Sequence, residues 1–88
     1  MKTDFLKQFY KDLDKIKLDK IKNGVVDLII NVENATNISE IKDIKKLSGY
    51  KNAYRIKLGN YRIGVFIEDN IVEFARFVHR KDIYKVFP

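Results

Sequence analysis

The N-terminal part of the chain repeats hydrophobic residues at helical spacing. Between residues 4 and 17, large hydrophobic side chains recur every three or four positions among Lys and Asp. This spacing predicts an amphipathic helix whose hydrophobic stripe must be covered by a sheet or another helix. The stripe consists of Phe5, Leu6, Phe9, Leu13 and Ile16.

The next segment, LDKIKNGVVDLIINVENA, fits two structures. A helical period runs from Leu18 to Val32, whereas the pair Asn23-Gly24 is a turn signal and residues 26–32 alternate as a strand would. We favour a second helix, because the helical period continues through Gly24 and one glycine in a helix costs only about 1 kcal/mol. Residues 37–49 then predict a short helical turn, capped by Asn37 or Ser39 and followed by Gly49.

From Ala53 onward the pattern changes to the two-residue alternation of strands. We predict strands at 53–58, 61–68 and 71–79, joined by the hairpin turns Gly59-Asn60 and Asp69-Asn70. The third strand is apolar on both faces and should lie inside the sheet, and the tail has room for one helical turn before Pro88. Helices followed by strands predict a single α+β domain over residues 1–88, with two N-terminal helices packed on a small antiparallel sheet.

The first hairpin places like charges together. A two-residue loop at Gly59-Asn60, with Gly first as a type II′ turn requires, puts Lys57 opposite Arg62 and Arg55 opposite Gly64. Because side chains alternate across a strand, these three cations share one face. Like charges directly opposite one another weaken a sheet. We interpret the repulsion as a sign of function, since local rules are most often broken at functional sites; the alternative is a solvated basic face.

Net charge is distributed unevenly along the chain. Of its 88 residues, 18 are Lys or Arg and 12 are Asp or Glu, and the whole excess of +6 falls within residues 45–88. A basic surface suits nucleic acid or an acidic protein partner, although solubility alone explains a charge of this size equally well. The absence of Cys fits a reducing compartment. With no signal peptide and no apolar run of transmembrane length, we expect a soluble cytoplasmic protein with no membrane partner.

The side chains available for chemistry are cationic and phenolic. There is no Cys, and the only Ser residues are Ser39 and Ser48. The single His lacks partners for a metal site, so we expect no metal and no cofactor. Arg and Lys suit a phosphodiester. RNA supplies its own 2′-OH nucleophile, so cleavage needs only a base, an acid and cations around the phosphate. The candidate residues are Arg55, Lys57, Arg62, His79, Arg80, Lys81 and Tyr84.

The segment KKLSGYKNAYRIKLGNYRIGVFIEDNIVEFARFVHRKDIYKVFP resembles the RelE/ParE superfamily of bacterial and archaeal toxins. A leucine-glycine step, a basic strand, a YRI strand and a terminal basic-Tyr element occur in the family's order over about half the chain. The resemblance implies a small sheet with two N-terminal helices and, for RelE-type members, cleavage of mRNA in the ribosomal A site. It also implies a cognate antitoxin, which we expect to be acidic and partly disordered.

The resemblance implies a role for each candidate. Arg55 and Lys57 match the paired basic residues of the strand before the YRI motif, with Lys57 as a candidate base, and Arg62 matches the phosphate-binding Arg. Arg80 matches the Arg proposed as general acid, and Tyr84 matches the Tyr that stacks on the substrate base. The family's leading strand would be reduced here to residues 1–4.

Two departures and two alternatives stand beside this assignment. Arg55 occupies a position where the best-known RelE pattern has Lys, and Arg stays protonated in proteins. His79 directly precedes Arg80, and its intrinsic pKa suits proton transfer better, whereas the resemblance favours Arg80. We expect Arg80 to be indispensable and His79 to assist. Lys81 is a further candidate for RNA binding, and Arg76 is expected to pair with Glu73. The alternative functions are a ParE-like toxin that inhibits DNA gyrase and a degenerate toxin retained as a binding module.

Overall fold

A computed structural model describes residues 1–88 and contains two main helices and a five-stranded sheet. The elements in chain order are β1 (Lys2–Phe5), α1 (Lys7–Asp14), α2 (Asp19–Asn34), a 3-10 turn (Ile38–Glu40), β2 (Ile44–Lys46), β3 (Ala53–Leu58), β4 (Tyr61–Glu68), β5 (Ile71–His79) and α3 (Ile83–Val86). The strands are ordered β1-β5-β4-β3-β2. The α+β class is confirmed. No helix is long and apolar enough to cross a membrane.

The N-terminus differs in detail from the helix predicted over residues 4–17. Residues 2–5 form β1, which pairs parallel with β5 and makes the sheet mixed, so that the helix begins only at Lys7. Phe5 fits a helical period with Phe9, but its ring stacks on Phe74 of the neighbouring strand at 5.1 Å between centroids. The family's leading strand is therefore present, and packing against β5 overrides the local helical pattern.

The second helix and the three long strands agree with the sequence predictions. The helix α2 runs through Gly24, where an added Cβ would make an ordinary contact of 3.5 Å with Leu58. β3, β4 and β5 have the predicted bounds, and the predicted register of the first hairpin is confirmed. Gly59 has φ 57° while Asn60 has no positive φ, as a type II′ turn requires. The tail forms one short helix, α3.

The segment predicted as a helical turn over residues 37–49 is only partly helical. Asn37 caps a 3-10 turn by accepting a hydrogen bond from the Ser39 N–H at 3.0 Å. After Asp43, which has φ 62°, residues 44–46 leave the helical path and form β2 at the edge of the sheet, antiparallel to β3. A three-residue strand is too short to produce a recognisable alternation, so its backbone pairing with β3 determines the structure.

The sheet separates two hydrophobic clusters. We call the side covered by α1 and α2 the helix face; its core is the larger cluster and contains Phe9, Val25, Val32, Ile56, Ile63, Val65, Val72, Phe74 and Phe77. We call the opposite side the outer face. There a smaller cluster lies under the C-terminal tail and consists of Leu47, Ala53, Ala75, Ile83 and Phe87. The tail covers only part of the outer face, because α3 has four residues.

Arg76 forms the one buried ion pair, and its partner is Asp12 instead of the predicted Glu73. Arg76 Nε donates to Asp12 Oδ2 at 2.7 Å, and the same oxygen accepts the Phe77 N–H at 3.0 Å. The pairing of β5 with β4 shifts register at Gly64/Val65, and β1 ends at Phe5. The part of β5 that extends beyond the end of β1 therefore has no neighbouring strand on the β1 side. Asp12 on α1 supplies the missing acceptor. Glu73 lies opposite Phe66 on the other side of the register shift.

The Phe87 ring lies directly on Gly64, and this contact predicts a mutational effect. A Cβ at Gly64 would lie 2.6 Å from Phe87 Cγ, so Gly64→Ala must displace the ring and with it the end of the tail. We expect a loss of about 1–3 kcal/mol in the free energy of unfolding, measured by urea denaturation. Gly24→Ala is the matched control and should be neutral or stabilising by up to about 1 kcal/mol. Equal stabilities for the two variants would contradict the contact.

Charge is segregated along the sheet. The carboxylates of Asp4, Glu68, Asp69 and Glu73 surround a cavity of about 470 Å³ at the β4–β5 turn. The Gly59-Asn60 turn, beside the hairpin cations, lies at the other end of β4. Because β4 has eight residues, the two ends are roughly 20–25 Å apart.

Candidate functional site

The hairpin β3–β4 holds the predicted cations on the outer face. Lys57 is directly opposite Arg62, as predicted. The Lys57 N–H points away from β4 and donates to the Asp43 carbonyl at 3.2 Å. The two residues therefore form a non-hydrogen-bonded pair, the type in which side chains approach more closely. Lys57 is exposed and has no ion-pair partner.

Backbone carbonyls hold the two guanidinium groups of the hairpin. Arg62 Nη1 donates to the carbonyls of Gly59 and Tyr61, both at 2.9 Å, and Arg55 Nη1 donates to the Asp43 carbonyl at 3.0 Å. Each guanidinium carries five N–H donors, so most of them remain available to a ligand. Carbonyls orient these side chains without neutralising their charge.

The structure adds Lys45, a cation that the sequence analysis missed. Lys45 lies on β2 directly opposite Arg55, so it extends the charged surface of Arg55, Lys57 and Arg62 across a third strand. The helical turn predicted for residues 37–49 concealed this pairing. The signal available in the sequence was the pair Lys45-Lys46, three to four residues before the turn at Gly49. We call Lys45, Arg55, Lys57 and Arg62 the basic surface.

The tail brings Arg80 and Tyr84 to the hairpin. The Arg80 N–H donates to the Asn60 carbonyl at 2.8 Å, which ties the end of β5 to the turn beside Arg62. Arg80 and Lys81 are exposed and make no ion pair. The helix α3 packs on β4 and β5 and presents Tyr84, whose side chain is 66% exposed. A phenol so exposed contributes little to the core and is free to contact a ligand.

His79 is separated from the other candidates by the sheet. It is directly opposite Tyr61, on the helix face, and the two rings meet edge-on at 5.9 Å between centroids. The neighbouring pair, Val78 and Arg62, is on the outer face. His79 Nδ1 accepts the Lys81 N–H at 3.2 Å, so in the neutral ring the proton is on Nε2. The structure thus brings Arg55, Lys57 and Arg62 to one side of the sheet and His79 to the other, with the Arg80 backbone at the hairpin turn.

The basic surface is not neutralised within the molecule. The ion pairs in the chain are Arg76 with Asp12 and Lys85 with Asp82. No group of three His, Cys, Asp or Glu residues is arranged to hold a metal ion. Cations with free N–H donors can bind a phosphodiester, and an exposed phenol beside them can stack on the adjacent base.

Comparisons with known proteins agree with this architecture. The family described as "ParE toxin of type II toxin-antitoxin system, parDE" matches residues 4–84. Toxin RelE3 of Methanocaldococcus jannaschii is 42% identical over 89 residues, which cover 100% of both chains.

Solved structures show the same fold. A chain in the crystal structure of the RelB-RelE antitoxin-toxin complex from Methanococcus jannaschii is 40% identical, with a TM-score of 0.80 over 97% of this chain and 99% of that one. A chain in the archaeal RelE-RelB complex from Pyrococcus horikoshii OT3 is 21% identical, with a TM-score of 0.74 over 93% and 97%; at that identity it supports the fold alone. The resemblance seen in the sequence is confirmed, and the chain belongs to the RelE/ParE family of toxins from type II toxin-antitoxin systems.

Proposed function

We propose that this toxin is a metal-independent endoribonuclease that cleaves mRNA on the ribosome. The observation that carries the proposal is the basic surface, four cations on three adjacent strands with no carboxylate partner, flanked by Arg80 and the exposed Tyr84. Single-stranded RNA offers phosphates to such a surface and bases to the phenol.

The proposed reaction uses the RNA's own 2′-OH. The 2′-oxygen loses its proton to a base, for which Lys57 Nζ is the candidate, and attacks the adjacent phosphorus. A bond forms between the 2′-oxygen and phosphorus while the bond to the 5′-oxygen breaks, giving a 2′,3′-cyclic phosphate. Arg62 and Arg55 bind the phosphate oxygens, and Arg80 stabilises the negative charge of the leaving 5′-oxygen, which takes its proton from water. Cations aimed at developing charge are typically the largest single contribution to such a reaction.

The ribosome has a defined part in this proposal. The surface is open, and the candidate base Lys57 is exposed to solvent. Holding the 2′-oxygen in line with the leaving oxygen can supply a large part of the barrier reduction. We infer that the ribosome supplies this orientation, so that free RNA is a poor substrate.

The partner that controls the toxin is proposed to be an acidic, partly disordered antitoxin. The related chains from Methanococcus jannaschii and Pyrococcus horikoshii were solved as complexes of RelE with RelB. An acidic segment that orders on the basic surface would neutralise the cations that the fold leaves unpaired.

Primer extension on mRNA from cells that express the toxin tests the proposal. We expect cuts within translated frames, and their loss when a start codon is removed so that the same transcript is not translated. Cuts that persist in the untranslated transcript would contradict dependence on the ribosome, and intact mRNA during growth arrest would contradict cleavage itself.

A gyrase-binding toxin is the second candidate, because the matching family is described as ParE. The presence of Arg62, Arg80 and Tyr84 together favours RNA cleavage. Purified toxin and DNA gyrase in a supercoiling assay distinguish the two functions, since inhibition of supercoiling with intact mRNA would select the ParE-like function.

A further inference from the structure

A second cavity opens on the outer face beside the tail. It has a volume of about 270 Å³ and lies between the loop that joins β2 to β3 and the C-terminal segment. Pockets for drug-sized ligands have volumes of roughly 300–1,000 Å³, so this cavity suits a single ring system. Its lining residues are Leu47, Ser48, Tyr50, Tyr84, Phe87 and Pro88.

The floor and the walls of the cavity differ in burial. Leu47 and Phe87 are buried in the smaller hydrophobic cluster and form a fixed floor. Tyr50 and Tyr84 rise beside it with 52% and 66% of their surfaces exposed, and neither ring stacks on another ring of the protein. Exposure of these two aromatic rings and the apolar floor to water is unfavourable in free energy. A flat apolar ligand that covers them would be stabilised by the burial of this surface.

The loop that carries Tyr50 is held in place. The Leu47 N–H donates to the Ala53 carbonyl at 2.8 Å, and the Tyr50 N–H donates to the Leu47 carbonyl at 3.4 Å. Gly49 supplies the positive φ of 84° that the turn requires. These bonds fix the backbone from which the Tyr50 side chain projects.

Cations adjoin the cavity, and none of its lining side chains is a carboxylate. Lys45 lies on the outer face opposite Arg55, and Lys51 directly follows Tyr50, whereas Lys46 is opposite Tyr54 on the helix face. The Phe87 ring covers Gly64, which is opposite Arg55, so the cavity adjoins the basic surface. An aromatic recess next to unpaired cations matches a nucleotide, whose base is flat and whose phosphate is anionic.

We infer that Tyr50 forms a second wall of the base site at Tyr84 and is a further determinant of RNA binding, beside the phosphate-contacting cations. The inference rests on the proposed function, in which Tyr84 stacks on a base, and adds Tyr50 to that site. The Ser48 hydroxyl, which can donate and accept, lies where it can contact the edge of that base. A base joined to its phosphate contacts the aromatic walls and the neighbouring cations at once, and for this reason we assign the cavity to RNA.

Fluorescence of 2-aminopurine tests the site without cleavage. The probes are four RNAs of four nucleotides, each with 2-aminopurine at a different position. Every nucleotide that is followed by a phosphate has a 2′-deoxy sugar, so that no 2′-OH is present to attack and cleavage is blocked. Stacking quenches this fluorophore. We expect saturable quenching at one position with the wild-type protein and with Tyr50→Phe, which keeps the ring.

Tyr50→Ala should weaken binding roughly 5- to 150-fold and abolish the quenching, because one stacked base contributes on the order of 1–3 kcal/mol. The matched control is Tyr10→Ala, since Tyr10 is 53% exposed on α1 at the helix face and should leave binding unchanged. An RNA with an abasic residue at the quenched position should bind both the wild type and Tyr50→Ala equally weakly.

Each result bears on one claim. Unchanged affinity and quenching in Tyr50→Ala would overturn the base site even if the toxin cleaves mRNA on ribosomes. Quenching that depends on Tyr50 in a toxin that leaves cellular mRNA intact would support the base site and contradict the proposed cleavage. Absence of quenching at every position with all four RNAs would overturn the inference and leave the cavity to the protein partner.

Discussion

Arg62→Ala should lower the rate of mRNA cleavage on programmed ribosomes by about 10²–10³-fold, because removal of one preorganised donor to a developing charge has effects of this size. Lys57→Ala should lose activity similarly. Arg62 bonds only backbone carbonyls of the exposed turn, and its removal relieves repulsion with Lys57. The free energy of unfolding should therefore stay within about 0.5 kcal/mol of the wild type or rise slightly.

The control for charge is Lys20→Ala, which removes an exposed cation from α2 on the other side of the molecule. This variant should keep both its cleavage rate and its stability. If Arg62→Ala instead lost several kcal/mol of stability, and toxicity fell only in proportion to folded protein, the charge of the hairpin would be structural.

The same assay separates Arg80 from His79. Arg80→Ala should abolish cleavage, because its backbone is tied to the hairpin turn beside Arg62. His79→Gln should cost little, since the His79 ring faces Tyr61 on the helix face. An Arg80→Ala variant with most of its activity would refute the assignment of Arg80.

Asp12→Ala should destabilise the fold by about 3–5 kcal/mol in urea denaturation, the range for removing one partner of a buried pair. Asp12 is only 3% exposed and accepts hydrogen bonds from Arg76, Gln8 and the Phe77 N–H. Truncation leaves the guanidinium and a backbone donor without an acceptor. Asp14→Asn, at an exposed position of the same helix, is the control and should change stability by less than about 0.5 kcal/mol.

Stability should also depend on the protonation of Asp12. Burial alone would raise the pKa of Asp12, but the hydrogen bonds from Arg76, Phe77 and Gln8 and the charge of Arg76 hold the pKa below its usual 3.8. A carboxyl with a lowered pKa stabilises the fold fully above its unfolded pKa and loses this contribution as pH falls through the folded value. The difference in stability between wild type and Asp12→Ala should thus be constant above about pH 5 and shrink below about pH 4. A difference that stays constant to pH 2 would contradict this role.

The sequence predicted the C-terminal half of the fold well because its determinants are local. A two-residue turn such as Gly59-Asn60 sets both the register and the face of every residue in its hairpin, so the pairing of Lys57 with Arg62 followed from spacing alone. Asp69-Asn70 joined β4 to β5 in the same way, with both residues at positive φ.

The errors concern residues whose structure depends on distant parts of the chain. Phe5 is in a strand because Phe74 is beside it, and Lys45 is in β2 because β3 is beside it. Arg76 pairs with a residue 64 positions away. Local periodicity carries no information about such contacts, so the parallel strand, the fourth cation of the basic surface and the buried ion pair emerged only with the tertiary structure.

The segregation of carboxylates and cations to opposite ends of the sheet gives the molecule an electric dipole. Near a polyanion such as the ribosome, this dipole exerts a torque that turns the hairpin forward and the Glu68–Asp69 end away before contact. Encounters therefore begin with the productive orientation, and their rate should fall as added salt shortens the Debye length, which is about 8 Å at physiological ionic strength. The same field discourages two toxin molecules from meeting through their basic surfaces.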